Sequence, residues 1–199
     1  MNYTIFPNVR LGKNVYIGDY VILGLPPAGK KGGEVETIIG DNAVIRSHTV
    51  IYAGNLIGDN FHAGHHVMVR EENIIGNNVS IGTGTIVEHH VILENYVRVH
   101  SQAFIPEFSI LEEGAWIGPN VVITNALYPF SPGAKDNLKG ACIKKNAKVG
   151  ANSTLLPGIV LGENCLIGAG SVVTKDVHAG TVVAGNPAGI INEINNLPY

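Results

Sequence analysis

Residues 39–63 read IGDNAVIRSHTVIYAGNLIGDNFHA, and an apolar residue returns at every sixth position: Ile39, Ile45, Ile51, Ile57, Ala63. The period continues in register through Val69, Ile75, Ile81, Val87, Leu93, Val99, Ile105, Leu111, Ile117 and Ile123, with only Ala63 undersized. Four residues after each comes a residue that is often small or β-branched, such as Ala43, Thr49, Val67, Val79 and Thr85. A period of six fits neither an amphipathic helix nor an alternating strand. It fits a triangular coil with three flat faces, one unit per face, whose inward aliphatic side chains stack into a continuous core.

Two further blocks carry the same period in shifted register: Ile5, Leu11, Ile17, Leu23, and Ile143, Val149, Leu155, Leu161, Ile167, Val173. Residues 24–38 and 126–142 separate the blocks and read as loops expelled from a corner, because a coil cannot absorb extra residues. The tail, residues 188–199, loses the period and is expected to fold over the last coil as a polar-faced cap. The whole chain, 1–199, therefore reads as one all-β solenoid domain.

Composition agrees. Twenty-five glycines, with Val, Ile and Asn prominent and 15% charged residues, favour short strands and tight turns. A net charge of −3 gives no reason to expect nucleic acid or an anionic membrane as a partner. No apolar run at the N-terminus could serve as a signal or a membrane span. Cys142 and Cys165 are too few for a disulfide framework and fit a reducing cytoplasm.

Three units make one coil, so residues eighteen apart stack at about the 4.8 Å spacing of adjacent strands. One column then holds Asp41, Asp59, Asn77 and Asn95, which reads as turn chemistry. Another holds Ala53, Glu71, His89, Glu107 and Asn125, ending where the second loop leaves. Here an imidazole is expected between two carboxylates, which favours the imidazolium and raises its basicity. Such a column could deprotonate a nucleophile or hold a sugar; a solvated ladder of complementary charges is the alternative.

The strict repeat resembles the hexapeptide-repeat acyltransferases over nearly the whole chain. That resemblance implies a left-handed parallel β-helix, a homotrimer with sites between subunits, and acetyl-CoA as co-substrate. The stretch EFSILEEGAWIGPNVVITNALYP (107–129) resembles the nucleotide-sugar N-acetyltransferases that acylate a 3-amino sugar. In those enzymes the glutamate of a PEF motif and the asparagine of a TN motif line the acceptor site. Glu107 and Asn125 match them, so with His89 they are the expected catalytic residues. Glu71, His65 and Tyr128 are expected to contact the small-molecule acceptor. The family commonly follows TN with aspartate, where this chain has Ala126, and its usual HSN is His100-Ser101-Gln102. Both departures bear on which sugar is accepted.

The segment AGHHVMVRE (63–71) also resembles the zinc-binding stretch of γ-class carbonic anhydrases. His65 could be a first ligand, but the second falls on Arg70, and a guanidinium cannot ligate zinc. No metal is expected. The last block, VGANSTLLPGIVLGENCLIGAGSVVTKDV (149–177), followed by VVAGNPA, resembles the donor end of the acyltransferases. By that resemblance Ala151, Gly168, Ala169, Asn186 and Pro187 border the pantetheine groove, with Pro187 extending the column of Ala151 and Ala169. Thr174 and Lys175 meet the nucleotide end, Lys175 as a point charge for phosphate. The reading is acetyl transfer to an amino group of a nucleotide-linked (dTDP- or UDP-) deoxysugar. Alternatives are sugar O-acetylation, a metal lyase and a catalytically silent trimeric scaffold.

Overall fold

The computed structural model describes residues 2–198. Its strands, mostly two residues long, assemble into three sheets of nine, eight and ten strands. The fold is a left-handed parallel β-helix of about ten turns. Face A runs from Thr4–Ile5 to Val172–Val173, face B from Val9–Leu11 to Val160–Leu161, and face C from Tyr16–Ile17 to Leu166–Ile167. Successive coils pair in register at a step of eighteen, as in Val50 with Met68, Ile86 and Phe104.

From Ile39 to Ile117 each unit turns inward its aliphatic residue and the residue four places on, whereas Ile5 and Leu11, at the N-terminal end of the stack, are exposed. Ile45, Ile51, Leu93, Ile105 and Ile117 are wholly buried, as are Ala43, Val67 and Val79 to within a percent. The undersized Ala63 is explained by Phe61, which occupies a normally small inward position and is wholly buried. The large and small residues exchange places, so core volume is conserved.

The corners use left-handed backbone. Asn42, Asn60 and Asn78 have φ of 58°, 57° and 59°, a conformation Asn tolerates better than most residues. His48, His66 and His90 occupy equivalent corners, so three of the eight histidines serve as turn residues.

Val9 pairs with Thr37 and Val122 with Thr154, so two loops insert ten and fourteen residues beyond the regular step. The chain is outside the sheets between Leu25 and Thr37 and between Ile123 and Cys142. Gly24, Leu25, Thr37, Ile38 and Cys142 lie within strands.

The tail differs from a polar lid. Strand Thr181–Gly185 joins face C in parallel beside Leu166–Ile167, and Ala188–Glu193 returns antiparallel to it. The hairpin thus satisfies the open backbone edge of the last coil on that face. Ile190 and Ile191 are about two-thirds exposed, at 66% and 65%, so the cap is not polar-faced. Among the described residues no helix is long and apolar enough to cross a membrane.

Candidate functional site

The corner where face A turns into face B (the A–B edge) is built from within. Asn55 and Asn73 are wholly buried there. Asn55 Nδ2 donates to the carbonyls of Tyr52 and Arg70, both at 2.7 Å, and Asn73 Nδ2 donates to that of Arg70 at 2.8 Å. Their side-chain oxygens accept the Asn73 and Val91 amides at 3.1 and 2.7 Å. Ser109, also buried, donates to the Pro106 carbonyl at 2.8 Å. The corner's main chain is therefore bonded by inward side chains, and the outward residues are left to bond one another.

Those outward residues form a continuous string. Asn125 Nδ2 donates to Glu107 Oε2 at 2.6 Å, and Glu107 Oε1 faces His89 Nε2 at 3.6 Å. His89 Nδ1 lies 2.7 Å from His90 Nδ1, and His90 Nε2 lies 2.9 Å from Glu72. The register of Phe104 on Val122 is what stacks Glu107 on Asn125. Phe108 sets its ring edge-on to His89 at 6.1 Å.

When both imidazoles are neutral and His90 gives its Nε2–H to Glu72, its Nδ1 can only accept. His89 must then donate from Nδ1, and its Nε2 carries a lone pair facing Glu107. Adding one proton there creates the His89–Glu107 ion pair. The arrangement can take up and release a proton at a single defined atom.

The expected sandwich of His89 between two carboxylates forms on one side only. Arg70 engages Glu71 in two-point fashion at 2.8 and 3.0 Å and reaches Glu88 at 3.3 Å. A planar guanidinium matches both carboxylate oxygens, so it claims Glu71 ahead of the imidazole. Its plane also lies 5.0 Å from the Tyr52 ring centroid. Burial pushes the Glu71 carboxyl up, but hydrogen bonds from Arg70 and from its own backbone, with the charges of Arg70 and His89, outweigh it and hold the group low. Glu88 is held above the ordinary carboxylate value, first by burial and then by the charge of Glu107, against the pull of Arg70. Sequence reasoning met Arg70 only as a residue unable to ligate zinc and passed over Glu88. They too stand eighteen apart, one position before Glu71 and His89, and following the neighbouring column would have found them.

The other candidate residues lie elsewhere. His65 sits on the C–A edge, its Nδ1 2.9 Å from Ser47 Oγ. Tyr128 projects from the second loop and is 71% exposed. Gly168, Ala151 and Ala169 run along the C–A edge, where a Cβ on Gly150 would stand 2.5 Å from the Ala169 amide. Close coil stacking therefore demands glycine there. Beside Ala169 the space is open, since a Cβ on Gly170 would meet nothing within 4 Å.

The last step is shorter, Leu166 pairing with Val182, so Ala184 follows Gly168 and Gly185 follows Ala169. Pro187 does not extend that column. With Asn186 it forms the hairpin turn between Gly185 and Ala188, with a cis peptide bond between them. Thr174 and Lys175 are exposed beyond Val172–Val173, and by the pairing of Val122, Thr154 and Val172 they continue the A–B edge above Asn125. Among the described residues no three histidines, cysteines or carboxylates converge as metal ligands.

Residues 143–175 match the family model described as bacterial transferase hexapeptide (six repeats). Those residues carry the repeat that the model describes. Over 87 residues, 41% of its length, the chain is 41% identical to a galactoside O-acetyltransferase of Lactococcus lactis, covering 42% of that protein. Over 80 residues, 40% of the chain, it is 39% identical to a 2,3,4,5-tetrahydropyridine-2,6-dicarboxylate N-acetyltransferase of Clostridium perfringens, covering 31% of it. The chain thus spans less than half the length of the curated relatives it matches. Among solved structures, LpxA from Acinetobacter baumannii superposes with a TM-score of 0.55 at 20% identity, over 96% of this chain and 72% of that one. The last likeness is one of fold.

Proposed function

We propose that this chain is an acetyl-CoA-dependent acetyltransferase whose acceptor is the amino group of a nucleotide-linked deoxysugar, and that the reaction takes place beside His89. The string Asn125–Glu107–His89 carries the reading, because it presents one proton-accepting nitrogen that faces a fixed carboxylate. Acetyl-CoA supplies the acyl group. The acceptor amine attacks the thioester carbonyl, its proton passes to His89 Nε2, and the carbon–sulfur bond breaks to release the thiolate of coenzyme A, which takes that proton from His89 and leaves the imidazole neutral. Glu107 holds the imidazolium in between, and Asn125 holds Glu107. Placing the amine against the thioester supplies much of the rate gain. The matched curated proteins bear acetyltransferase names, which supports the reaction type.

Donor groups proposed from sequence fall on two edges of one chain, Ala151, Gly168 and Ala169 on C–A and Lys175 with the His89 string on A–B. A groove that uses both edges draws them from two copies, which supports the homotrimer. Sedimentation at micromolar concentration is expected to give a trimer, and a monomer would remove the shared groove. A second reading, acetylation of a sugar hydroxyl, is favoured by the galactoside O-acetyltransferase match.

The test is a panel of dTDP- and UDP-linked amino sugars and of simple glycosides with acetyl-CoA, read by thiol release. Turnover of an amino sugar supports the proposal. Turnover of glycosides alone transfers it to the hydroxyl reading, and no turnover together with no coenzyme A binding sinks both.

A further inference from the structure

Face C differs from its neighbours. The outward column of face A carries Val50, Met68, Ile86, Phe104 and Val122, and that of face B carries Leu56, Ile74, Ile92 and Ile110. Face C carries Val44, His62, Ser80, Arg98 and Trp116 in the equivalent column. Beside it runs a second column, Arg46, Gly64, Gly82 and His100. The two glycines are imposed by the coil, since a Cβ on Gly64 would stand 2.5 Å from the Thr83 amide. They leave a floor without side chains, walled by Arg46 on one side and His100 on the other. The result is a pocket of about 220 Å³ bordered also by His62, Ser80 and Arg98.

Charge singles this pocket out. The chain has four arginines and a net charge of −3. Arg10 pairs with Glu36 and Arg70 with Glu71 and Glu88. Among the described residues, Arg46 and Arg98 have no carboxylate within ion-pair distance, and both line the same pocket. His100 rests against Trp116, ring centroids 4.6 Å apart. Burial, and then the charge of Arg98, hold it below the ordinary histidine value.

We propose that this pocket is a binding subsite for a phosphoryl or diphosphate group. Two guanidinium forks and a serine hydroxyl suit tetrahedral oxyanions, which arginine binds in two-point fashion. The volume falls below the roughly 300–1,000 Å³ of pockets that enclose a whole small ligand, so the site takes one group at the end of a larger molecule. Two sources offer that chemistry: the phosphates of coenzyme A and the diphosphate of a nucleotide sugar. The subsite itself is argued from face C, and the choice of these two sources rests on the proposed function.

Calorimetric titration of the full chain with inorganic pyrophosphate, at low ionic strength where surface charge is least screened, tests it. One saturable site per chain is expected. Arg46→Gln and Arg98→Gln should each weaken binding by about tenfold, the scale of one charge-assisted contact, and Arg98→Lys should recover part of the loss. Arg10→Gln, remote from the pocket, should change nothing. Displacement of pyrophosphate by coenzyme A assigns the subsite to the donor. Displacement by thymidine or uridine diphosphate, with coenzyme A ineffective, assigns it to the acceptor. Absence of saturable binding overturns the proposal. So does unchanged binding in the Arg46→Gln/Arg98→Gln double variant, with its circular dichroism spectrum native. Acetyl transfer is read separately by thiol release, so either conclusion can fail without the other.

Discussion

The B–C and A–B edges carry similar residues at the same spacing and use them differently. At the B–C edge, Asp41 accepts the Lys13 amide, Asp59 the Asp41 amide, Asn77 the Asp59 amide and Asn95 the Asn77 amide, at 2.6–2.8 Å. Each of these four side chains bonds the main chain of the coil before it. At the A–B edge the same task falls to buried Asn55 and Asn73, and Glu107, His89 and Asn125 bond one another. A periodic polar column is turn chemistry unless something else satisfies the turn. Where inward asparagines do so, the outward position becomes available for chemistry.

The largest effect is expected at the freed column. Glu107→Ala and Asn125→Ala should each reduce kcat/KM by a factor equivalent to about 2–4 kcal/mol, as for removal of one well-placed polar group in a site. Because both act through one string, the double variant should lose less than the sum. Thermal midpoints should barely move, since the side chains face outward. His89→Ala separates the two acceptor readings: a modest loss points to an amine, and a loss approaching the full 10²–10⁴-fold of general-base catalysis points to a hydroxyl. Normal turnover of both Glu107→Ala and Asn125→Ala on an accepted substrate would reduce the column to a charge ladder.

The next effect is on stability. Asn73→Ala removes the acceptor of the Val91 amide, orphaning one buried N–H at about 1–3 kcal/mol, while the Arg70 carbonyl keeps its bond from Asn55. Urea unfolding should register a loss of that order. Outward Asp59→Ala should cost about 1 kcal/mol or less, because water replaces the lost partner. Equal losses at the two sites would contradict the division of labour between the edges.

The fold was legible because a six-residue period admits few geometries, and stacking at eighteen followed from it. The His89–Glu107–Asn125 contact was legible for the same reason. The partner of Glu71 was not, because choosing between His89 and Arg70 requires two adjacent columns at once and the planar fit of a guanidinium. Pro187 was misplaced because the final step shortens from eighteen to sixteen residues, Leu166 to Val182, where the period has faded. The replacement of Ala63 volume by Phe61 was visible in principle, two residues away.

A pH test probes the A–B edge alone. Glu88 is raised above its unfolded value by burial and by Glu107, so the folded state binds more protons than the unfolded one in the range between the two values. Its contribution is fully favourable below the unfolded carboxylate value and is lost as pH rises through the folded one. Glu88→Gln should therefore be stabilising near pH 7, by less than about 1 kcal/mol given solvent screening, and without benefit near pH 3. A thermal midpoint that falls at pH 7 would mean that the Arg70–Glu88 contact outweighs burial and repulsion.

The smallest expected effect is the most discriminating, because one isosteric change is made at both edges. Asp59→Asn converts a carboxylate into the amide that already occupies the equivalent place in the next two coils, Asn77 and Asn95. The amide oxygen accepts the Asp41 amide as the carboxylate does, since Asn77 and Asn95 bond their neighbours at 2.8 and 2.7 Å. Stability should stay within about 0.5 kcal/mol, the range of ordinary surface substitutions, and activity should not change. Glu107→Gln keeps the same shape but removes the charge that holds protonated His89. Its amide must also turn its oxygen toward Asn125, leaving an NH₂ facing Nε2 and occupying the lone pair that accepts the proton. Turnover should fall while the fold is untouched. Equal tolerance at both positions would mean that charge has no role at the A–B edge, and that its polar column differs from the B–C column only in the partners it bonds.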